Sequence, residues 1–134
     1  MNLLLDSHVL IWALNDDPQL SRKARDYLSN PDNLIYYSVA SVWELGIMHA
    51  IRPDNVEFTP QELCHWCDEA GFEPLDVSRE HIFQLDSLKR PENAPPHKDP
   101  FDRLLICQAK TENMLLLTHD ALLPEYNEPC VVSV

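Results

Sequence analysis

Five short apolar runs divide this chain: Leu3 to Leu5, Leu34 to Tyr37, Glu73 to Val77, Met114 to Thr118 and Cys130 to Val134. Each has the length of a strand and is too short for a buried helix. The intervals between them carry helix-opening chemistry. Ser21 opens a stretch through Leu28 that closes near Asn30-Pro31; Ser41 or Ser38 opens one through Ile51; Thr59-Pro60-Gln61-Glu62 opens a third; Ser78-Arg79-Glu80 opens one through Leu88. Residues 89–98 hold Pro91, Pro95 and Pro96 and read as loop. Strands separated by helices join through crossovers rather than hairpins, so the expected architecture is α/β, a mostly parallel sheet covered on both faces. With 134 residues and 45% hydrophobic content the chain suits one domain over residues 1–134 with one core.

The scarcity of glycine excludes whole classes of function. Gly46 and Gly71 are the only two. Neither a dinucleotide fingerprint nor a phosphate-cradling P-loop can be built from them, and there is no Gly-x-Ser-x-Gly elbow. The cysteines point away from zinc. Cys64 and Cys67 have no second ligand pair at matching spacing, and they follow a helix opening rather than a strand, so all four cysteines read as packed thiols. The start at Met1 lacks a basic region and a long apolar stretch; a cytoplasmic protein without a membrane span is expected.

Four carboxylates fall where a βα chain gathers residues at one end of a sheet: Asp6, Glu44, Asp102 and Asp120. Asp6 and Asp120 each follow an apolar strand, and ligand sites of open α/β sheets lie beyond the carboxyl ends of the strands. Clustered acids repel, and a hard cation such as Mg²⁺ or Mn²⁺ relieves them in a partly dry cleft. Each acid also has a plainer role. Glu44 would complete a capping box opened by Ser41, Asp102 would complement the dipole of a helix capped by Asp99 with Pro100 at its first position, and Asp6 or Asp120 would cap a following helix. The coincidence of four favours a metal cage. A net charge of −12 argues against a protein that grips phosphates with Lys and Arg, yet a bound cation reverses that locally.

The motifs Asp6-Ser7-His8 with Trp12, Ser38-Val39-Ala40-Ser41-Val42-Trp43-Glu44-Leu45, His97-Lys98-Asp99-Pro100-Phe101-Asp102-Arg103-Leu104-Leu105 with Gln108-Ala109, and Thr118-His119-Asp120 together resemble a PIN domain of the VapC toxin type. The resemblance spans nearly the whole chain in the family's order. It implies a three-layer α/β/α sandwich and a Mg²⁺- or Mn²⁺-dependent endoribonuclease, usually a homodimer, neutralised by a small cognate antitoxin. By motif position Asp6, Glu44, Asp102 and Asp120 match the acidic quartet: Asp6 and Asp102 as principal metal ligands, Glu44 as ligand or as the group that helps deprotonate water, Asp120 completing the shell. Asp99 is read first as a helix cap. Ser7, Arg103 and Asp99 are further candidates for substrate contact, and Arg103 suits an ion pair with a neighbouring acid equally well. His8, His97 and His119 lie near these motifs, where they could contact phosphate, but are read first as surface or packing residues, and Trp43 is assigned to the core. The clusters Arg22-Lys23-Ala24-Arg25 and Lys89-Arg90 with Lys98 would track RNA or receive acidic antitoxin residues, the first being more simply a solvated face. Two other readings stay open. One is a PIN-like module that binds without cutting; the other is a metal-dependent phosphatase, against which His8 stands where haloacid-type phosphatases carry a second acid.

Overall fold

The computed structural model describes residues 1–94, 97 and 99–134. The strands are β1 (Asn2–Leu5), β2 (Leu34–Ser38), β3 (Glu73–Leu75), β4 (Leu115–Thr118) and β5 (Val131–Ser133). The helices are α1 (Ser7–Asn15), α2 (Arg22–Ser29), α3 (Val39–Ile51), α4 (Pro60–Glu69), α5 (Arg79–Phe83) and α6 (Pro100–Glu112), with single 3₁₀ turns at Gln84–Ser87 and Leu123–Tyr126. The strands form one parallel sheet in the order β3-β2-β1-β4-β5.

Central β1 explains the layering. Its Leu3 and Leu5 enter one apolar cluster with Val9, Leu10, Leu45, Leu63 and Leu117, whereas Leu4 enters another with Leu105, Ile106, Ala109, Leu116 and Leu123. Alternate side chains of a strand leave opposite faces, so helices α1 to α4 cover one face and α6 the other. That is the α/β/α sandwich expected from the sequence. A run of leucines is required because neither face of this strand meets water.

The edge strands are shorter than the apolar runs that encode them. β3 pairs Tyr36 with Glu73, Tyr37 with Pro74 and Ser38 with Leu75. The chain turns into α3 at Val39, which leaves Asp76 and Val77 no ladder to join. Pro74 is tolerated because an edge strand need not donate on both sides. The stretch expected as helix from Ser78 to Leu88 is helical only to Phe83 and then tightens into the 3₁₀ turn. Residues 89–91 are irregular and 92–94 form a turn, as the prolines require; Pro95, Pro96 and Lys98 lie outside the described residues.

Caps set the helix starts. Asp6, Ser21, Ser38, Thr59, Ser78 and Asp99 each accept a backbone N–H of the first turn. The start of α3 is therefore Ser38, and the Ser41-to-Glu44 capping box is corrected: both residues lie inside the helix. Gly71 follows α4 with φ +80°, where a side chain would strain the turn into β3.

Candidate metal centre

β1 and β4 are adjacent although α1 follows one and β5 the other, so the strand order reverses between them. A crevice opens beyond their carboxyl ends. Asp6 stands there, 3% exposed. Its Oδ1 accepts from the Val9 N–H at 2.8 Å; its Oδ2 accepts from Thr118 Oγ1 at 2.6 Å and from the His119 N–H at 3.2 Å. Asp6 thus caps α1 and staples β1 to β4. A carboxylate has about four lone-pair sites, so about one remains for a cation.

Asp120 is held by the same staple. Its N–H donates to Thr118 Oγ1 at 3.0 Å, and its Oδ1 accepts from the Leu122 N–H at 2.8 Å. Asp102 approaches from α6, where Asp99 caps the helix by accepting from the N–H groups of Phe101 at 2.9 Å and Asp102 at 3.4 Å. The expected roles of Asp99 and Pro100 at this helix start agree with what is seen.

Glu44 reaches in from α3, half-buried, and accepts a hydrogen bond from Ser7 Oγ. The Ser41 hydroxyl lies 3.2 Å from Ser7 Oγ. Ser7 has a single proton to give and Glu44 takes it, so Ser41 completes the relay by donating to Ser7. Ser7 is only 5% exposed and serves here to aim Glu44. Arg103 makes no ion pair among the described residues.

The electrostatics record crowding. Burial first, then the Asp99 charge, a hydrogen bond with Asp120, and the charges of Asp120 and Glu44 push the Asp102 carboxyl up to about 8. Burial likewise raises Glu44, aided by Asp99 and Asp6 and opposed by the Ser7 hydrogen bond and His8. A carboxyl that holds its proton near neutrality, as Asp102 does, is short of a cation.

One histidine joins them. His97, Asp102 and Asp120 each present a ligand atom within 4.8 Å of the others. His97 Nε2 lies 3.4 Å from Asp102 Oδ2 while Nδ1 lies 2.7 Å from the Tyr126 hydroxyl. Burial, with Arg90 and Arg103, lowers the His97 pKa against the pull of Asp120 and Asp99, keeping the ring neutral as a ligand must be. A carboxylate-rich set with one imidazole suits Mg²⁺ or Mn²⁺, and the Tyr126 contact is the second partner that orients a ligating ring. His97 was not expected among the potential ligands, nor Tyr126 at the site. The adjacency of His97 to Asp99 and Asp102 in sequence was its one signal; Tyr126 arrives by a turn that no pattern marks.

Other assignments resolve simply. Trp43 is corrected from core to surface: it is 65% exposed and meets Phe101 edge-on at 5.1 Å. The four cysteines are free thiols; Cys67 and Cys107 are buried, and burial raises both. In the first basic cluster Arg22 pairs with Asp26 and Arg25 with Asp16, as a solvated face would. Among the described residues no helix is long and apolar enough to cross a membrane.

A parallel α/β sheet with acids gathered at its switch point defines an α/β protein with an acidic site. The PIN domain family model matches residues 3–129, and the chain belongs to that family. Its fold is similar to that of VapBC2 from Rickettsia felis bound to a DNA fragment from its promoter, with a TM-score of 0.67 and 18% identity over 100% of this chain and 98% of that one. It is also similar to a toxin-antitoxin complex from Klebsiella pneumoniae, with a TM-score of 0.59, 18% identity and 97% and 95% coverage. VapBC-1 from nontypeable Haemophilus influenzae matches with a TM-score of 0.61 and 20% identity over 90% and 87% of the two chains. No curated protein sequence matches significantly.

Proposed function

We propose that this chain, as a single PIN domain, is a Mg²⁺- or Mn²⁺-dependent endoribonuclease of the VapC type, the toxin of a toxin-antitoxin pair. The observation that carries the reading is the convergence of Asp102, Asp120 and His97 on one point, with Asp102 driven up to about 8 by burial and by the acids around it. Asp6 and Glu44 stand beside this trio and complete the acidic quartet. A divalent ion bound here would supply Lewis acidity toward the phosphodiester and lower the pKa of water beside it. Asp102, Asp120 and His97 would hold that ion, and Asp6 fixes the β1–β4 crevice beside them. Glu44, aimed by Ser7 through Oε1 and with its pKa raised by burial, would accept a proton from the attacking water at Oε2. Hydrolysis then adds water across one P–O bond, and the departing oxygen gains a proton.

The decisive experiment is an RNA panel incubated with Mg²⁺ or Mn²⁺ and with EDTA, for the wild type and Asp102→Asn. Cleavage that needs the metal and Asp102 supports the reading. Its absence from the whole panel with folded, metal-loaded protein would leave a PIN module that binds without cutting.

The partners follow from the same reading and from the fold's likeness to structures of toxin-antitoxin complexes. A small antitoxin is expected to neutralise the chain, and expression of the chain alone is expected to slow growth that co-expression of the antitoxin restores. A homodimer is proposed through α3, whose Val39, Trp43, Ile47 and Ile51 form an exposed apolar stripe at four-residue spacing. Cytoplasmic location agrees with free thiols.

A further inference from the structure

Two clefts flank the acidic centre and share a wall. The first, of ≈ 260 Å³, is lined by Ser7, Glu44, Met48, Asn55 and Val56 among others. The second, of ≈ 370 Å³, is lined by Gln19, His119 and Asp120. His8 and Trp12 line both. Trp12 packs on the apolar cluster beneath it, which fixes its ring. Its centroid lies 6.0 Å from that of His8 and 5.1 Å from that of His119, the latter at 71°. His119 Nδ1 in turn contacts the Val134 carbonyl at 3.0 Å.

We infer that Trp12, with His8 and His119 at its edges, is a nucleobase subsite: single-stranded RNA places the bases on either side of the scissile phosphate in these two clefts. The inference rests on the endoribonuclease reading. Its first support is charge. Among the described residues no Lys or Arg lines either cleft, in a chain of net charge −12, so these walls offer a phosphate no cationic side chain. What such walls do hold is an uncharged π-face. Base-aromatic stacking is the means by which proteins retain unpaired nucleotides. Proximity is the second support, because Glu44 lines one cleft and Asp120 the other, and both carboxylates act on Asp102 in the acidic centre. The third is polarity in the walls. Asn55 and Gln19 each offer an amide, whose donor and acceptor suit a base edge. Duplex RNA keeps its bases stacked inside, so the substrate class is a loop or single strand.

The test uses a short single-stranded RNA carrying 2-aminopurine beside the cleaved linkage, bound to the full chain with Ca²⁺ in place of Mg²⁺, alongside Mg²⁺-dependent cleavage of the same RNA. Stacking on Trp12 quenches 2-aminopurine emission. Trp12→Ala is expected to abolish the quench and weaken binding at least about fivefold, raising KM more than it lowers kcat. Trp12→Phe keeps a stacking face and most of the affinity, and Trp66→Phe, on α4 away from both clefts, changes nothing. A wild type that cleaves the RNA but shows no quench, or a folded Trp12→Ala that binds and quenches as the wild type does, overturns the subsite and leaves the nuclease. Quenching without Mg²⁺-dependent cleavage keeps the subsite and removes the nuclease. Neither quenching nor cleavage removes both.

Discussion

Asp102 sits under opposed influences. As the third residue of α6 it lies where the helix dipole favours a negative charge, yet burial and three neighbouring acids hold its proton until about pH 8. The unfolded chain releases that proton near pH 4. Between those limits the folded state binds a proton that the unfolded state does not, so stability falls as pH rises from about 4 to about 8. In EDTA the wild type is expected to lose Tm across that window, and Asp102→Asn to lose less and melt a few degrees higher at pH 8. Parallel melting curves for the two proteins would show that the crowding carries no folding cost. Mn²⁺ should remove the wild type's pH slope by pairing the charges, adding about 2.7 kcal/mol at a hundred times Kd. Glu44→Gln tests the neighbouring role. Gln keeps an oxygen for the Ser7 hydroxyl but no proton-accepting charge, so cleavage should fall about a hundredfold or more while RNA affinity changes little. Equal cleavage would reduce the site to its aspartates and His97. At this scale Asp6, Asp102 and Asp120 stand out in the sequence because each follows a strand or opens a helix, positions fixed by local rules, whereas Glu44 lies inside α3 and is brought in by packing. Sequence reading missed His97 and misplaced Trp43, since which face of α3 meets water depends on packing between elements.

The elements were legible where caps and apolar runs coincide. Ser21, Thr59 with Glu62, Ser78 and Asp99 with Pro100 each mark a helix start that the structure keeps. Ends were less legible, because β3 stops where β2 stops rather than where its own apolar run does. Tight approach between elements is also invisible in a pattern. Gly46 lies in the interior of α3, where alanine would gain about 1 kcal/mol of helix propensity. A Cβ there would stand 2.8 Å from Cγ of Pro60, a ring atom held at the first position of α4. The ring has little freedom to retreat, so the clash outweighs the propensity gain. Gly46→Ala is expected to lower stability by about 1–2 kcal/mol, read as a lower urea midpoint with the m-value unchanged; a raised midpoint would mean that α3 and α4 slide apart freely.

Across the whole molecule the two working surfaces are set by a single helix. The inner side of α3 carries Ser41 and Leu45 into the protein and Glu44 toward the acidic crevice, whereas Val39, Trp43, Ile47 and Ile51 face outward, Ile51 at 72% exposure. An apolar stripe of this length is costly to leave wet, and in the proposed homodimer it would pair with its own copy in a twofold, self-complementary contact. The geometry separates assembly from chemistry, because the stripe and Glu44 leave the same helix at different angles. Ile47→Glu with Ile51→Glu places like charges face to face across such a contact. Sedimentation should show the wild type as a dimer and the double variant as a folded monomer, with Mn²⁺ affinity within about twofold because no ligand is touched. A wild type that sediments as a monomer at tens of micromolar would remove the α3 dimer. Loss of Mn²⁺ binding in a folded monomer would instead show that the crevice closes only when two copies brace α3 against each other.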